Sequence, residues 1–198
     1  MEELCLPFAG RWFVGHAGDT LNVNHHMRVR AQWYGIDFLK TGGSSNRGLC
    51  KSDGKTNEDF YSWNEPVLSP ATGKLEIAVD GLPDNPIGLQ DKRNICGNHA
   101  VIRTRSGKFV FIAHLRKGSV MVKPGDDVTA GQQVGRCGNS GNSSAPHLHL
   151  HTQDTPIFNQ GTGQSMIFKG VNVELTGKIF ENVDWPLIRG LFVWPGKL

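Results

Sequence analysis

The histidines of the segment SAPHLHLH, residues 144–151, are the side chains whose type and spacing best fit chemistry. Successive side chains of a β-strand point to opposite faces, so His147, His149 and His151 should share one surface while Leu148 and Leu150 enter the core. Neutral imidazole is a common zinc ligand, and two imidazoles on one face allow one to bind metal while its neighbour acts on a substrate. Because HxH patterns also occur on solvated strands, this segment alone indicates a catalytic site only weakly.

The rest of the chain predicts the β-framework that such a strand needs. Its 25 glycines and 10 prolines separate short runs rich in β-branched and aromatic residues, and long amphipathic helical patterns are missing. We therefore expect an all-β fold. The predicted strands are 11–14, 33–39, 66–69, 74–80, 99–104, 109–115, 133–137 and 147–152.

Two stretches predict folded hairpins. In RTRSGKFVFIAHL, residues 103–115, Ser106 and Gly107 separate two alternating runs, and the second run ends at His114. The following VKPGDDVTAGQQVGRCGNSG, residues 122–141, has regular glycine turns and resembles the hairpins of lipoyl and biotinyl carrier domains. Those carriers need an exposed lysine at a hairpin tip, whereas the tip here is Gly-Asp-Asp at 125–127, so a carrier role is the weaker hypothesis.

The combination of GNSGNSSAPHLHLH, the preceding KPGDDVTAGQQVGRCG and the earlier FIAHL resembles the lysostaphin-type zinc peptidases, the M23 peptidases with a LytM-like domain. The resemblance runs from about residue 10 to residue 154, and it depends on the order and spacing of the motifs and on the glycine turns between them. It implies an antiparallel sheet with folded hairpins and a groove that holds one Zn²⁺. The implied activity is that of a zinc metalloendopeptidase acting on the peptide cross-links of bacterial peptidoglycan.

The family pattern assigns roles to particular residues. His149, the second histidine of HxH, matches a zinc ligand, and Asp37 in YGIDF matches the aspartate ligand. His147, the first histidine of HxH, and His114 in AHL match the two catalytic histidines. His151 is left open, either beside the ligand or merely lining the groove.

The first histidine ligand departs from the commonest family form. That form places it four residues before the aspartate, as HxGxD, but this chain has Trp33 there. A variant branch of the family instead looks like NHH followed several residues later by YAxDF, and this chain has Asn24, His25 and His26 ahead of YGIDF. His25 or His26 would then supply the ligand, and His26 is preferred because the final histidine of that string recurs in the branch.

Three protein ligands would leave an open coordination position for water, as catalytic zinc sites require. Zinc would lower the pKa of that water toward about 7, with His114 and His147 available to orient it and to transfer protons. The loops at 41–60 and after residue 154 carry no readable preference for glycyl-glycine bridges or D-alanyl cross-links. If the departure at Trp33 marks a lost metal site, the alternative is an inactive envelope protein of the same fold that binds peptidoglycan or activates a hydrolase.

The charge, the apolar runs and the cysteine spacing limit the partners and the location that we expect for this protein. The formal net charge is +3, with lysines and arginines scattered instead of clustered, which argues against a nucleic-acid partner. No run approaches the roughly 18 apolar residues of a membrane-spanning helix, and no signal peptide is visible, while the family resemblance implies the cell envelope or an extracellular location. The four cysteines form no CxxC pair, which argues against a thiolate zinc site and leaves disulfides or free thiols open.

We expect one domain over residues 1–198, with a core at about 10–154, a long loop at 41–60 and a C-terminal extension of unclear role at 155–198. Two further histidines receive structural predictions: His16 as an exposed turn residue and His99 as a structural residue at a strand start. The oligomeric state is not predicted.

Overall fold

A computed structural model describes residues 1–42 and 48–197 of the protein. These residues form strands, turns and short 3-10 helices, with no α-helix among them, so the all-β prediction is confirmed. The strands are β1 (Glu2–Leu4), β2 (Trp12–His16), β3 (Ile36–Lys40), β4 (Pro66–Leu68), β5 (Gly73–Val79), β6 (Asn98–Thr104), β7 (Phe109–Leu115), β8 (Asp127–Val128), β9 (Gln133–Arg136), β10 (Leu148–Gln153), β11 (Gly163–Gln164), β12 (Met166–Leu175), β13 (Lys178–Trp185) and β14 (Phe192–Pro195). The 3-10 helices are His25–Arg28, Arg30–Gln32 and Asn57–Asp59.

One large sheet carries most of these strands. Its order is β1-β12-β14-β2-β3-β10-β7-β6-β5-β8, with β11 added to β10 and β13 added to β12. The pairings are antiparallel, as predicted, apart from the parallel pair β1 and β12. β4 and β9 form a separate antiparallel pair. The strands β3, β10 and β7 therefore lie side by side near the middle of the sheet.

Each of the eight predicted strands overlaps one observed strand, but only the prediction at 109–115 has both boundaries right. The predicted strand at 33–39 begins only at Ile36, because the chain first makes the 3-10 helix Arg30–Gln32 and Tyr34 then adopts a left-handed φ of 65°. The strand predicted from His147 begins at Leu148. The hairpin between β6 and β7 turns at 105–107, where the Thr104 N–H donates to the Lys108 carbonyl and the Thr104 carbonyl accepts from the Gly107 N–H.

The C-terminal segment, which showed no interpretable motif, extends the same sheet. β14 pairs with β2 through Val193 opposite Trp12, and both residues are fully buried. β12 then pairs with β14 on its far side. Residues 166–195 therefore cover the β2 edge of the sheet, while the division into domains stays a prediction.

The core lies against one face of the central strands. Leu148 and Leu150 of β10 are fully buried there with Phe38 of β3 and Ile112 of β7. All six residues of β10 are buried, so its opposite face, which carries the histidines, is also covered. The long-loop prediction at 41–60 falls partly on residues 43–47, which lie outside the described part; its described residues include the 3-10 helix Asn57–Asp59.

None of the four cysteines forms a disulfide in the structure, which agrees with the free-thiol alternative. Cys96 and Cys137 are buried, and burial raises the pKa of both thiols, so they are protonated and inert at neutral pH. Among the residues described, no helix combines the length and apolarity that crossing a bilayer would need.

Candidate metal centre and active site

The register of the central strands brings the predicted site residues together. In β10, His149 lies directly opposite Asp37 of β3 on one side and Ala113 of β7 on the other. Side chains of directly opposed residues are neighbours on the same face. His149 Nδ1 is accordingly 2.9 Å from Asp37 Oδ1, and His114 follows one residue after Ala113.

His26 reaches the same place from a turn that a buried asparagine organises. Asn24 caps the 3-10 helix His25–Arg28, because its side-chain oxygen accepts a hydrogen bond from the His26 backbone N–H at 3.1 Å. Its amide nitrogen donates to the carbonyls of Gly18, at 2.8 Å, and Gly35, at 3.1 Å. Asn24 thereby ties the histidine turn to the residue that precedes β3.

His26, Asp37 and His149 consequently form one compact, buried group. His26 Nε2 is 3.0 Å from Asp37 Oδ2, and one ligand atom from each of the three residues lies within 4.8 Å of the other two. Of the two histidines left open by the sequence, His26 is therefore the one beside His149. His25 is exposed, and its ring packs 4.3 Å from that of His16.

The protonation of His149 follows from a hydrogen-bond chain along β10. Gln153 Nε2 donates to the carbonyls of Thr155, at 2.6 Å, and Ile157, at 2.8 Å, so its Oε1 must face His151 Nε2 at 3.2 Å. His151 Nε2 then carries a hydrogen, and His151 Nδ1 accepts from His149 Nε2 at 2.9 Å. By this assignment from the network, the proton of neutral His149 is on Nε2 and its Nδ1 lone pair faces Asp37.

In that arrangement two hydrogen-bond acceptors, His149 Nδ1 and Asp37 Oδ1, face each other. Burial lowers the pKa of His149 to about 3, so its ring is neutral near pH 7. Burial raises the pKa of Asp37, but His26 and His147 outweigh it and hold that pKa well below its usual range, so the carboxyl is charged. A lone pair and a carboxylate oxygen 2.9 Å apart repel unless a cation lies between them.

A second observation, at His26, also favours a cation at this place. Its Nε2 is buried and makes no hydrogen bond to any described residue, although Asp37 Oδ2 is only 3.0 Å away. Two imidazole nitrogens and one carboxylate oxygen are a donor set suited to zinc. The residues present therefore fit the predicted metal ion.

His114 stands at the end of β7 with its ring orientation determined by the backbone. Its φ is 62°, a left-handed conformation that is uncommon for a side-chain-bearing residue and is often found at functional sites. Its Nδ1 donates to the Ser140 carbonyl at 2.8 Å, which leaves Nε2 as the unprotonated nitrogen. Burial, then the neighbouring His147 and His149, lowers the pKa of His114 well below its usual value, so the ring is neutral.

His147 has the same tautomer from a different partner. Its Nδ1 donates to the Ala145 carbonyl at 2.9 Å, so its Nε2 is unprotonated in the neutral ring and lies 3.6 Å from Asp37 Oδ1. The rings of His114 and His147 are 4.8 Å apart. Both histidines and the His26–Asp37–His149 group line an open groove of about 550 Å³.

The remaining histidines correct or extend the sequence analysis. His16 was wrongly predicted as an exposed turn residue: it lies in β2, is half-buried and lines the groove. His99 donates from Nδ1 to the Gly97 carbonyl at 2.7 Å, in agreement with a structural role. His151 is fully buried behind His149. The sequence analysis missed the roles of Asn24 and Gln153; the spacing of 149, 151 and 153 on one strand face was the signal available for Gln153.

The fold and the site define the class: an all-β protein with a histidine–carboxylate group, suited to a metal ion, at the base of an open groove. Peptidase family M23 matches residues 59–160, which is more than half of the 198 residues. The chain belongs to peptidase family M23. The matched region contains His114, His147 and His149, whereas His26 and Asp37 precede it.

The chain is also similar to several solved structures. Pseudoalterin, described as a novel M23 metalloprotease from the deep sea, is 17% identical, with a TM-score of 0.51 over 94% of this chain and 98% of its own. The antimicrobial peptidase lysostaphin from Staphylococcus simulans is 23% identical, with a TM-score of 0.47 over 77% of this chain. The match spans 46% of the lysostaphin chain, less than half of its length. A zinc-containing peptidase from Vibrio cholerae is 19% identical, with a TM-score of 0.41 over 81% of this chain and 36% of its own.

Proposed function

We propose that this protein is a zinc metalloendopeptidase that hydrolyses the peptide cross-links of bacterial peptidoglycan. His26, Asp37 and His149 hold one Zn²⁺, and His114 and His147 are the catalytic histidines. The observation that supports the proposal is the convergence of His26, Asp37 and His149, with one ligand atom of each within 4.8 Å of the others and His149 Nδ1 2.9 Å from Asp37 Oδ1. The hydrogen-bond chain through His151 assigns an unprotonated Nδ1 to His149. The contact of this Nδ1 with Asp37 Oδ1 is repulsive without a cation and favourable with one.

The ligand set distinguishes a catalytic from a structural zinc site. These three residues would hold the ion and would leave a coordination position free for water or substrate, and the group lines the groove. Zinc bound there would supply Lewis acidity, lowering the pKa of water to about 7 and polarising the scissile carbonyl.

The two proposed catalytic histidines differ in burial, and this difference assigns them different roles in the reaction. His114 is neutral and buried, so its Nε2 accepts a hydrogen bond from the attacking water and orients it. His147 is less buried than His114 and its Nε2 lies 3.6 Å from Asp37 Oδ1, so a departing amine in the groove can reach this ring. His147 is therefore the residue that takes a proton and passes it to the departing amine.

The substrate follows from the family and from the open shape of the groove. An open groove admits an extended peptide within a larger polymer, and peptidoglycan cross-links are such peptides. The corresponding location is the cell envelope or the extracellular space. The alternative, an inactive envelope protein that binds peptidoglycan or activates a hydrolase, comes from the loss of histidine at Trp33. The position of His26 beside Asp37 and His149 supports the enzyme instead.

The test combines metal analysis with turnover. Purified protein should hold one tightly bound zinc ion and release peptides from purified peptidoglycan, and defined glycyl-glycine and D-alanyl substrates would identify the bond. Asp37→Ala and His149→Ala should each lose the tightly bound zinc and the activity. His147→Ala should keep the zinc and lose about 10²- to 10⁴-fold in kcat, the usual contribution of a proton-transfer group.

His99→Ala is the matched histidine control, because His99 belongs to no group of metal-ligand side chains among the described residues and hydrogen-bonds to the nearby Gly97 carbonyl, and it should change neither zinc content nor activity. Full activity in Asp37→Ala or His149→Ala would refute the assignment. Wall binding by a zinc-free, inactive wild-type protein would instead support the non-catalytic alternative.

A further inference from the structure

A second group of metal-ligand side chains lies next to the first and shares a carboxylate with it. One ligand atom from each of His16, His25 and Asp37 lies within 4.8 Å of the other two. The rings of His25 and His26 are 4.0 Å apart, so this outer group directly adjoins the inner one formed by His26, Asp37 and His149. Neither His16 nor His25 has a role in the proposed peptidase reaction.

His16 shows the same sign of a missing partner as His26. Its Nδ1 is buried and makes no hydrogen bond to any described residue, although a buried unsatisfied nitrogen costs about 1–3 kcal/mol. The residue lies in β2, which pairs with β3 so that His16 is opposite Asp37. The strand register therefore holds an unpaired imidazole beside the carboxylate.

We infer that His16, His25 and Asp37 form a second zinc site, with Asp37 bridging an outer and an inner Zn²⁺. Two imidazole nitrogens and one carboxylate oxygen are the same donor set as in the inner group, and zinc accepts it in both places. A carboxylate has two oxygens, each with lone pairs available, so one aspartate can serve two cations. Paired metal ions joined in this way occur in hydrolases, at separations of about 3.5–4 Å.

The outer site should bind zinc more weakly than the inner site. His25 is exposed and His16 half-buried, whereas His26 and His149 are both buried. Water competes more effectively for an exposed ion, and an exposed side chain loses more freedom when it is held in place. The inference rests on the proposed function only through Asp37, which belongs to both groups.

Zinc stoichiometry tests the site without using activity. Metal-free protein is titrated with Zn²⁺ alone in a calorimeter, and bound zinc is counted by native mass spectrometry. The wild type should bind two ions, one tight and one weaker. The double variant His16→Gln/His25→Gln should keep only the tight ion, and His149→Ala should keep only the weaker one.

Two further variants serve as controls for misfolding and for nonspecific zinc binding. His25→Ala changes an exposed side chain, so it should fold normally and still lose the weaker ion. His99→Ala should bind two ions like the wild type. Thermal unfolding of each metal-free variant establishes that it is folded.

The outcomes separate this inference from the proposed function. A wild type with one ion, retained by His16→Gln/His25→Gln, would overturn the outer site and leave the proposed peptidase site intact. A second ion retained by that double variant would likewise overturn it. A single ion that the double variant loses and His149→Ala keeps would overturn both assignments, because the only zinc would then be in the outer group.

Discussion

The chemistry of His149 is determined by residues two and four positions further along its own strand. Gln153 orients His151, and His151 Nδ1 in turn accepts a hydrogen bond from His149 Nε2–H, so His149 Nδ1 is left to face Asp37. Residues behind a metal ligand commonly set its tautomer and orientation in this way. The sequence shows these positions as alternating members of one strand face, but it does not show which nitrogen carries which hydrogen.

We expect His151→Phe to weaken zinc binding about 10- to 100-fold, because His149 Nε2–H loses its acceptor. The protein should still fold, since the His151 ring is already stacked on Phe111 at 4.6 Å and a phenyl ring preserves that packing. Competition with a chelator measures the zinc affinity. An affinity equal to that of the wild type would show that the hydrogen-bond chain does not position the ligand.

Thr152→Val is the matched control on the same strand. Thr152 is fully buried, and its hydroxyl has no hydrogen-bond partner among the described residues. Removing an unsatisfied buried hydroxyl should raise the free energy of unfolding by about 1 kcal/mol without changing zinc affinity. Denaturant unfolding and the same chelator competition check both expectations.

At the scale of elements, the approach of the histidine turn to β3 and β10 depends on Gly35. A Cβ atom at this position would lie 3.1 Å from His26 Cγ and 3.2 Å from His149 Cε1. Both distances are shorter than ordinary van der Waals contacts, and both rings belong to the inner group. The turn and the strands can therefore meet this closely only where the chain has no side chain.

Gly35→Ala should lower zinc affinity by at least about tenfold, or roughly 1.4 kcal/mol, because the two ligand rings must move apart. Gly48→Ala is the control: the nearest atoms of the described residues would lie 3.5 and 3.7 Å from its Cβ, so zinc affinity should be unchanged. Zinc titration of both variants gives the comparison. Equal affinities in the two variants would mean that the turn adjusts without disturbing the ligands.

At the scale of the whole molecule, the C-terminal strands support the site from a distance. β14 pairs with β2, and β2 pairs with β3, the strand that carries Asp37. Val193 is fully buried opposite Trp12 in this arrangement. The C-terminal segment is therefore part of the framework that determines the position of β3.

Val193→Asp should lower the free energy of unfolding by about 3–5 kcal/mol, because it buries a charge without a partner. Ile188→Asp, in the same segment but 44% exposed, should have little effect. Denaturant unfolding of the two variants measures the difference. Wild-type stability in Val193→Asp would contradict the placement of β14 in the sheet.

Acid should destabilise the metal-free protein. Burial lowers the pKa of both His149 and His151 to about 3, whereas an unfolded histidine titrates near about 6.5. Between these values the unfolded chain binds more protons, so the free energy of unfolding should fall as the pH falls from about 6.5 towards 3. Denaturant unfolding at a series of pH values checks the sign, and the decline should be shallower in His151→Phe, which lacks one of these groups.

The sequence by itself determined the all-β class and the approximate strands, while the proposed metal-site residues came from the resemblance of its motifs to a known family. The strand properties are local: alternation places His149 and His151 opposite Leu148 and Leu150, and glycine turns divide the strands. Residue type alone also limits which side chains suit zinc.

Only the tertiary structure decided which histidine of the pair at 25 and 26 lies beside His149, because that depends on how Asn24 anchors the turn to Gly18 and Gly35. It also placed His16 in the groove and the C-terminal strands in the main sheet. The physical reason is that strand pairing and buried hydrogen bonds join residues far apart in the chain, whereas periodicity describes only neighbours.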